Sequence, residues 1–180
     1  MNPIADLTAA GRGLSLIAKG DPKAAGAFRA SLSALIVALG WLALALILSA
    51  AAQSAAAGPP SLFQLTIGLL IQGLTVAALA LVTWQTTRFL RLPIPLLRLL
   101  VPTVYLLALV QLLAIPLALL GPNAQLIAVL FLALALWRAA RVLGDMGAGV
   151  ALAFALLCLM VLVVVPNALY ILLSQLPSPA

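Results

Sequence analysis

With 180 residues, of which 66% are hydrophobic and 7% charged, and a mean hydropathy of +1.31, this chain lies far outside the range of soluble domains, so lipid is the solvent for most of it. Nine lysines and arginines face three aspartates, for a net charge of +6, and the absence of histidine removes the usual general base and the commonest metal ligand. A single cysteine, Cys158, inside an apolar run, excludes an intramolecular disulfide and a cysteine metal cluster and reads as a small apolar filler.

Asn2-Pro3 offers an N-cap followed by proline at the first helical position, and Ile4, Leu7, Leu14 and Ile17 recur near helical spacing, which predicts a short helix on the membrane surface. Gly20-Asp21-Pro22 then supplies a C-terminal glycine, a new N-cap and a new N1 proline. A second helix is expected from there, through Lys23 and Arg29 into the membrane. Its cations either bind anionic headgroups, at roughly 1 kcal/mol each, or only orient the first span. That span is expected over 32–52, with Trp41 inside it. The alanine-serine run SAAAQSAAAG that follows looks like a signal-peptidase site, but the apolar stretch before it is too long for a signal peptide and is read as a retained anchor. Gly58-Pro59-Pro60 makes the far turn. The second span, 62–84, carries Gln72 and Thr75 near its middle and a Gly73-x-x-x-Ala77 step that allows close helix approach.

In the segment TTRFLRLPIPLLRLL, Pro93 and Pro95 forbid one continuous helix, which predicts a stretch along the basic interface. Arg88, Arg91 and Arg98 have no acidic neighbour there and, with Arg138 and Arg141, are candidate contacts for lipid phosphate or an acidic partner surface. The third span, 99–120, alone combines a midpoint amide (Gln111), two interior prolines (Pro102, Pro116) and Tyr105, and is the expected centre of the bundle. Gly121-Pro122-Asn123 makes a turn. The fourth span, 124–140, is short unless Arg138 snorkels from beneath Trp137 to the headgroups. The fifth, 150–173, follows Gly144-Asp145-Met146-Gly147. Its small residues Gly147, Ala151 and Ala155 share a face expected to pack on a neighbour, and Pro166-Asn167 interrupts it towards the far side.

All twelve charges fall in three clusters, separated by charge-free intervals of 58 residues (30–87), 39 (99–137) and 35 (146–180). A crossing needs about 20 apolar residues, so the first two intervals each hold a hairpin and the last holds one span. The expected fold is an all-α membrane protein, a five-transmembrane-helix bundle with every lysine and arginine on one face. By the positive-inside rule the N-terminus is cytoplasmic and the C-terminus outside. Residues 1–30 form an interfacial segment, 31–175 the transmembrane domain and 176–180 a short outer tail.

No carboxylate lies within a span and no phosphate-binding loop is present, so intramembrane proteolysis, nucleotide hydrolysis and ion coupling through core charges all lack their residues. No cofactor is expected, and no enzymatic activity. The basic charges are few, dispersed and explained by orientation, which argues against nucleic acid as a partner. The polar core is left with Gln72, Thr75, Tyr105 and Gln111. Gln72 and Gln111 lie at similar predicted depths, where a hydrogen bond between them would contribute below about 1–2 kcal/mol.

The order of parts resembles the Yip1 family of five-span membrane proteins. A hairpin and a basic segment precede a span carrying Tyr105 and then Pro116. The next span ends in tryptophan and basic residues, within WRAARVLGDMGAGVALAFALL, where a glycine-rich turn opens a small-residue helix. The resemblance covers roughly residues 31–173 and implies association with vesicle membranes and small GTPases for eukaryotic members. This chain lacks their long N-terminal region with its Asp-Leu-Tyr-Gly-Pro type motif, so no GTPase-binding expectation carries over. The expected function is that of a non-enzymatic protein organising or recruiting partners in the membrane, with the bilayer, anionic phospholipid headgroups and other membrane proteins or further copies of itself as partners. The alternative is a transporter or channel subunit for an uncharged or weakly polar solute. The alanine- and leucine-rich style points to a bacterial inner membrane.

Overall fold

Lipid offers the backbone no hydrogen bonds, so an apolar chain must satisfy its amides internally, and all seven elements found among the described residues are α-helices. The computed structural model describes residues 3–57, 61–118, 120 and 122–174. The helices are α1 (Pro3–Lys19), α2 (Ala24–Ala27), α3 (Leu32–Ala57), α4 (Leu62–Phe89), α5 (Leu96–Ala118), α6 (Pro122–Gly144) and α7 (Ala148–Ser174). The last five are long and apolar enough to cross a membrane. Asn2, the far turn at Gly58-Pro59-Pro60, Gly121 and the 176–180 tail lie outside the described residues.

Helix α5 is the axis of the bundle. Just over half of its apolar window (56%) is buried, against 17–33% in the other four spans, and all ten residues from Leu99 to Ala108 are enclosed, which a helix with neighbours on only one side would not achieve. Its broadest contacts are with α3 and α6, while α4 packs chiefly on α7, and α7 also on α6. The sequential hairpin α3–α4 is therefore splayed.

Local chemistry explains the ends. Helix α1 closes in a Schellman motif: Gly20, at φ +75°, donates to Ile17 O and Asp21 donates to Leu16 O, both at 3.0 Å. Helix α4 opens with a capping box, in which Ser61 Oγ accepts from the Gln64 amide at 3.1 Å and Gln64 Oε1 accepts from the Ser61 amide at 2.9 Å. It ends in a second Schellman motif, Arg91 N to Arg88 O and Leu92 N to Thr87 O, with Arg91 at φ +51° where glycine is usual.

Several expected boundaries move. The helix expected to carry Lys23 and Arg29 into the membrane is one short turn: Phe28 turns extended at φ −104°, ψ 129°, and Ser31 restarts the chain by capping the Ala34 amide at 3.2 Å. Helix α4 continues past residue 84 to Phe89, and α5 starts at Leu96, directly after Pro95. Helix α6 begins at Pro122, so Pro122 and Asn123 are helical rather than turn, and runs on to Gly144, about 34 Å at ~1.5 Å per residue. Its apolar, membrane-length part is Leu126–Gly144, 19 residues, the fewest of the five candidate spans.

Candidate functional site

The three charged segments meet at one end of the bundle. Arg138 on α6 donates to Ala18 O at the end of α1, a groove joins Trp84 and Arg88 of α4 to Val150 of α7, and Gly144 lies against Leu99. Two of the arginines are held over indole rings one turn away. Arg88 sits 5.3 Å from the Trp84 centroid and Arg141 5.6 Å from that of Trp137, each pair spaced i, i+4. Trp137 is itself fixed, since its Nε1–H donates to Ala148 O at 3.1 Å and so ties α6 to α7. Arg138, whose snorkelling was the condition for a full-length fourth span, has its Nη1 bound to a protein carbonyl at 2.7 Å.

Arg91 is exposed at the α4–α5 turn, and Arg98, half-buried, has its Nε sealed from solvent without a hydrogen-bond partner. Among the described residues no arginine or lysine forms an ion pair. The only side-chain bond made by Asp21 accepts the Lys23 amide. The basic end thus holds its cations without ion pairs among the described residues, although Asp145 shares a pocket with Arg138 and Arg141. Beside it, an apolar groove of about 800 Å³ lies between the end of α4 and the start of α7, lined by Trp84, Phe89, Phe154 and Leu157 with Arg88 among them.

The polar core is dispersed. The Thr75 hydroxyl donates to Ile71 O at 2.8 Å, and Thr83 and Thr103 do the same to Leu79 O and Leu99 O on their own helices. Gln72 and Gln111 are half-buried, and no hydrogen bond joins them. Tyr105 is only 5% exposed and makes no hydrogen bond; its ring lies 6.5 Å from that of Phe28. Beside Pro166, which leaves the Leu162 carbonyl without its usual donor, Asn167 Nδ2 donates to Val163 O at 2.7 Å. Ala151 and Ala155 are buried as the small-residue stripe required, whereas Gly147 at its head is exposed. The Gly73/Ala77 step faces away from every neighbour in the chain.

The residues that organise this end and escaped sequence reasoning are Trp84, Phe28 and Gly13. The repeated Trp-x-x-x-Arg spacing, 84/88 and 137/141, was a readable signal for the first. Gly13 had none, because its role is to leave space: a Cβ there would stand 2.4 Å from the Phe28 ring.

Five apolar helices with their charges gathered at one end define a multi-pass helical membrane protein as the class. No protein-family model, curated protein or solved structure matches the chain.

Proposed function

We propose that this protein is a non-enzymatic, Yip1-like organiser of the membrane, which recruits partners through its basic end, with the N-terminus and that end cytoplasmic and the C-terminus outside, in a bacterial inner membrane. The observation that carries this reading is the pairing of arginines with tryptophans rather than with carboxylates. Arg88 and Arg141 are positioned, yet their charge remains available to an acidic surface. The groove beside Arg88 adds apolar area to the same face. Residue-specific photocrosslinking from positions 85 and 142 in native membranes tests this. One stoichiometric protein partner is expected, lost in Arg88→Gln/Arg141→Gln; an identical adduct pattern in wild type and variant removes the basic end as the recruiting surface.

The transport reading draws on Gln72 and Gln111, two half-buried amides without a side-chain hydrogen bond among the described residues. Gln111→Leu separates it from the first: solute flux lost with assembly intact supports transport, whereas weakened assembly supports a packing role.

A further inference from the structure

Beneath the N-terminal helices lies a cavity of about 480 Å³, roofed by α1 and α2 and floored by α5, within the size range of small-ligand sites (roughly 300–1,000 Å³). Arg12, Lys23 and Arg29 line it together with a single carboxylate, Asp6, and Phe28 and Tyr105 form part of its floor. No ion pair among the described residues links Asp6 to any of the three cations, so two net positive charges bear on the space.

Tyr105 is the second and independent observation. Tyr105 as a residue is only 5% exposed, on the most enclosed stretch of the bundle, yet its hydroxyl makes no hydrogen bond among the described residues and is not sealed inside the protein, so it opens on the cavity that Tyr105 lines. A buried phenol normally finds a partner. The Phe28 ring supplies none, and although the Asp6 carboxylate lines the same cavity no hydrogen bond joins it to the phenol, so a group entering the cavity is the partner the geometry leaves for the hydroxyl.

We infer that this cavity binds a phosphate-bearing anion carried on an apolar stem, an anionic phospholipid of the surrounding leaflet. Arg12, Lys23 and Arg29 neutralise the phosphate, the Tyr105 hydroxyl donates to one of its oxygens, and the apolar floor of Phe28, Val101 and Tyr105 receives the first carbons of the stem. Free phosphate shares the charge chemistry but would leave that floor uncovered. The site is separate from the Trp-Arg pairs of α4 and α6, so it stands or falls independently of the recruiting role.

Native mass spectrometry of the purified full-length chain, delipidated and titrated with dioleoyl phosphatidic acid, dioleoyl phosphatidylcholine or inorganic phosphate, tests this. One equivalent of phosphatidic acid is expected to bind, at least tenfold tighter than phosphatidylcholine. Tyr105→Phe, which keeps the ring against Phe28 and so the fold, is expected to weaken binding about fivefold, and Arg12→Gln/Arg29→Gln more than tenfold, the ordinary weights of a neutral and of charge-assisted hydrogen bonds. Arg88→Gln, outside the cavity, is expected to leave it unchanged. Equal binding by wild type, Tyr105→Phe and Arg12→Gln/Arg29→Gln overturns the site, as does phosphatidylcholine matching phosphatidic acid. Displacement of the lipid by a thousandfold excess of inorganic phosphate overturns the lipid as the source of the anion.

Discussion

Arg138 donates a 2.7 Å hydrogen bond to the carbonyl oxygen of Ala18, 120 residues earlier in the chain. The Schellman motif already satisfies the carbonyls of Leu16 and Ile17, so the arginine takes the next orphan acceptor of α1 and places a positive charge at the negative end of its dipole. One side chain thereby terminates the interfacial helix and fastens it to the bundle. Replacing it with methionine, which keeps the stem and removes the guanidinium, is expected to loosen the end of α1 by about 1 kcal/mol. Hydrogen exchange should then show the Gly20 and Asp21 amides opening about fivefold more often, with α5 unchanged; equal exchange rates would show the bond to be incidental.

Two glycines one residue apart in α1 should respond to alanine with opposite signs. Gly11 is exposed and open on all sides, so Gly11→Ala should stabilise by roughly 0.5–1 kcal/mol through helix propensity alone. At Gly13 the same gain meets the Phe28 ring at 2.4 Å. That ring is buried and leans on Tyr105, so it has little room to retreat, and overpacking of about 1–3 kcal/mol should win. Thermal unfolding in detergent reads both, and Phe28→Leu should recover part of the Gly13→Ala loss, a coupling visible only if the two residues touch.

The left-handed positions give a mirrored pair. Arg91 holds φ +51° at the cost of about 1–2 kcal/mol, and glycine there relieves this against an unfolded-state penalty of roughly 0.5–1 kcal/mol. A net stabilisation of about 1 kcal/mol or less is expected for Arg91→Gly, and a destabilisation of similar size for Gly20→Ala at φ +75°, both read from denaturant midpoints.

Cys158 is fully buried on the face of α7 that also buries Ala151 and Ala155. A membrane-permeant maleimide should leave it unmodified in the folded protein and label it on unfolding, so the native chain carries its own reporter of α7 packing. Ala151→Leu should expose it: a side chain that large cannot enter the contact, and labelling in native membranes should rise at least tenfold. Rapid labelling of the wild type would contradict the packing of this face.

The orientation is open to a direct test. An enzymatic reporter fused after Ala180 is expected to be active only outside the cytosol; activity in the cytosol would reverse the proposed topology while leaving the helical packing untouched.

Much of the membrane architecture was readable from composition alone. An apolar run of sufficient length has only the helix available to it in lipid, and three charge clusters divide this chain into intervals that admit five such runs. The centrality of α5 was legible too, through Pro102 and Tyr105 in its enclosed stretch, whereas Gln111 is half-buried and Pro116 exposed. Helix ends were less legible where two rules competed. Pro122 was read as turn but starts α6, since proline lacks only an N–H that the first helical turn does not use. The helix expected after Pro22 stops at Ala27, where Phe28 turns extended and its buried ring fills the space beside Gly13.

The sequence by itself determined how many membrane-length helices this protein has and that its charges cluster outside the longest apolar runs, because the bilayer applies those constraints residue by residue. Only the tertiary structure decided which helices touch, that α3 prefers α5 to its hairpin partner α4, and that Arg138, Trp137 and Phe28 lock the basic end. Those choices depend on shape matching between distant surfaces, on a missing Cβ at Gly13 or a free carbonyl at Ala18, and no local periodicity records them.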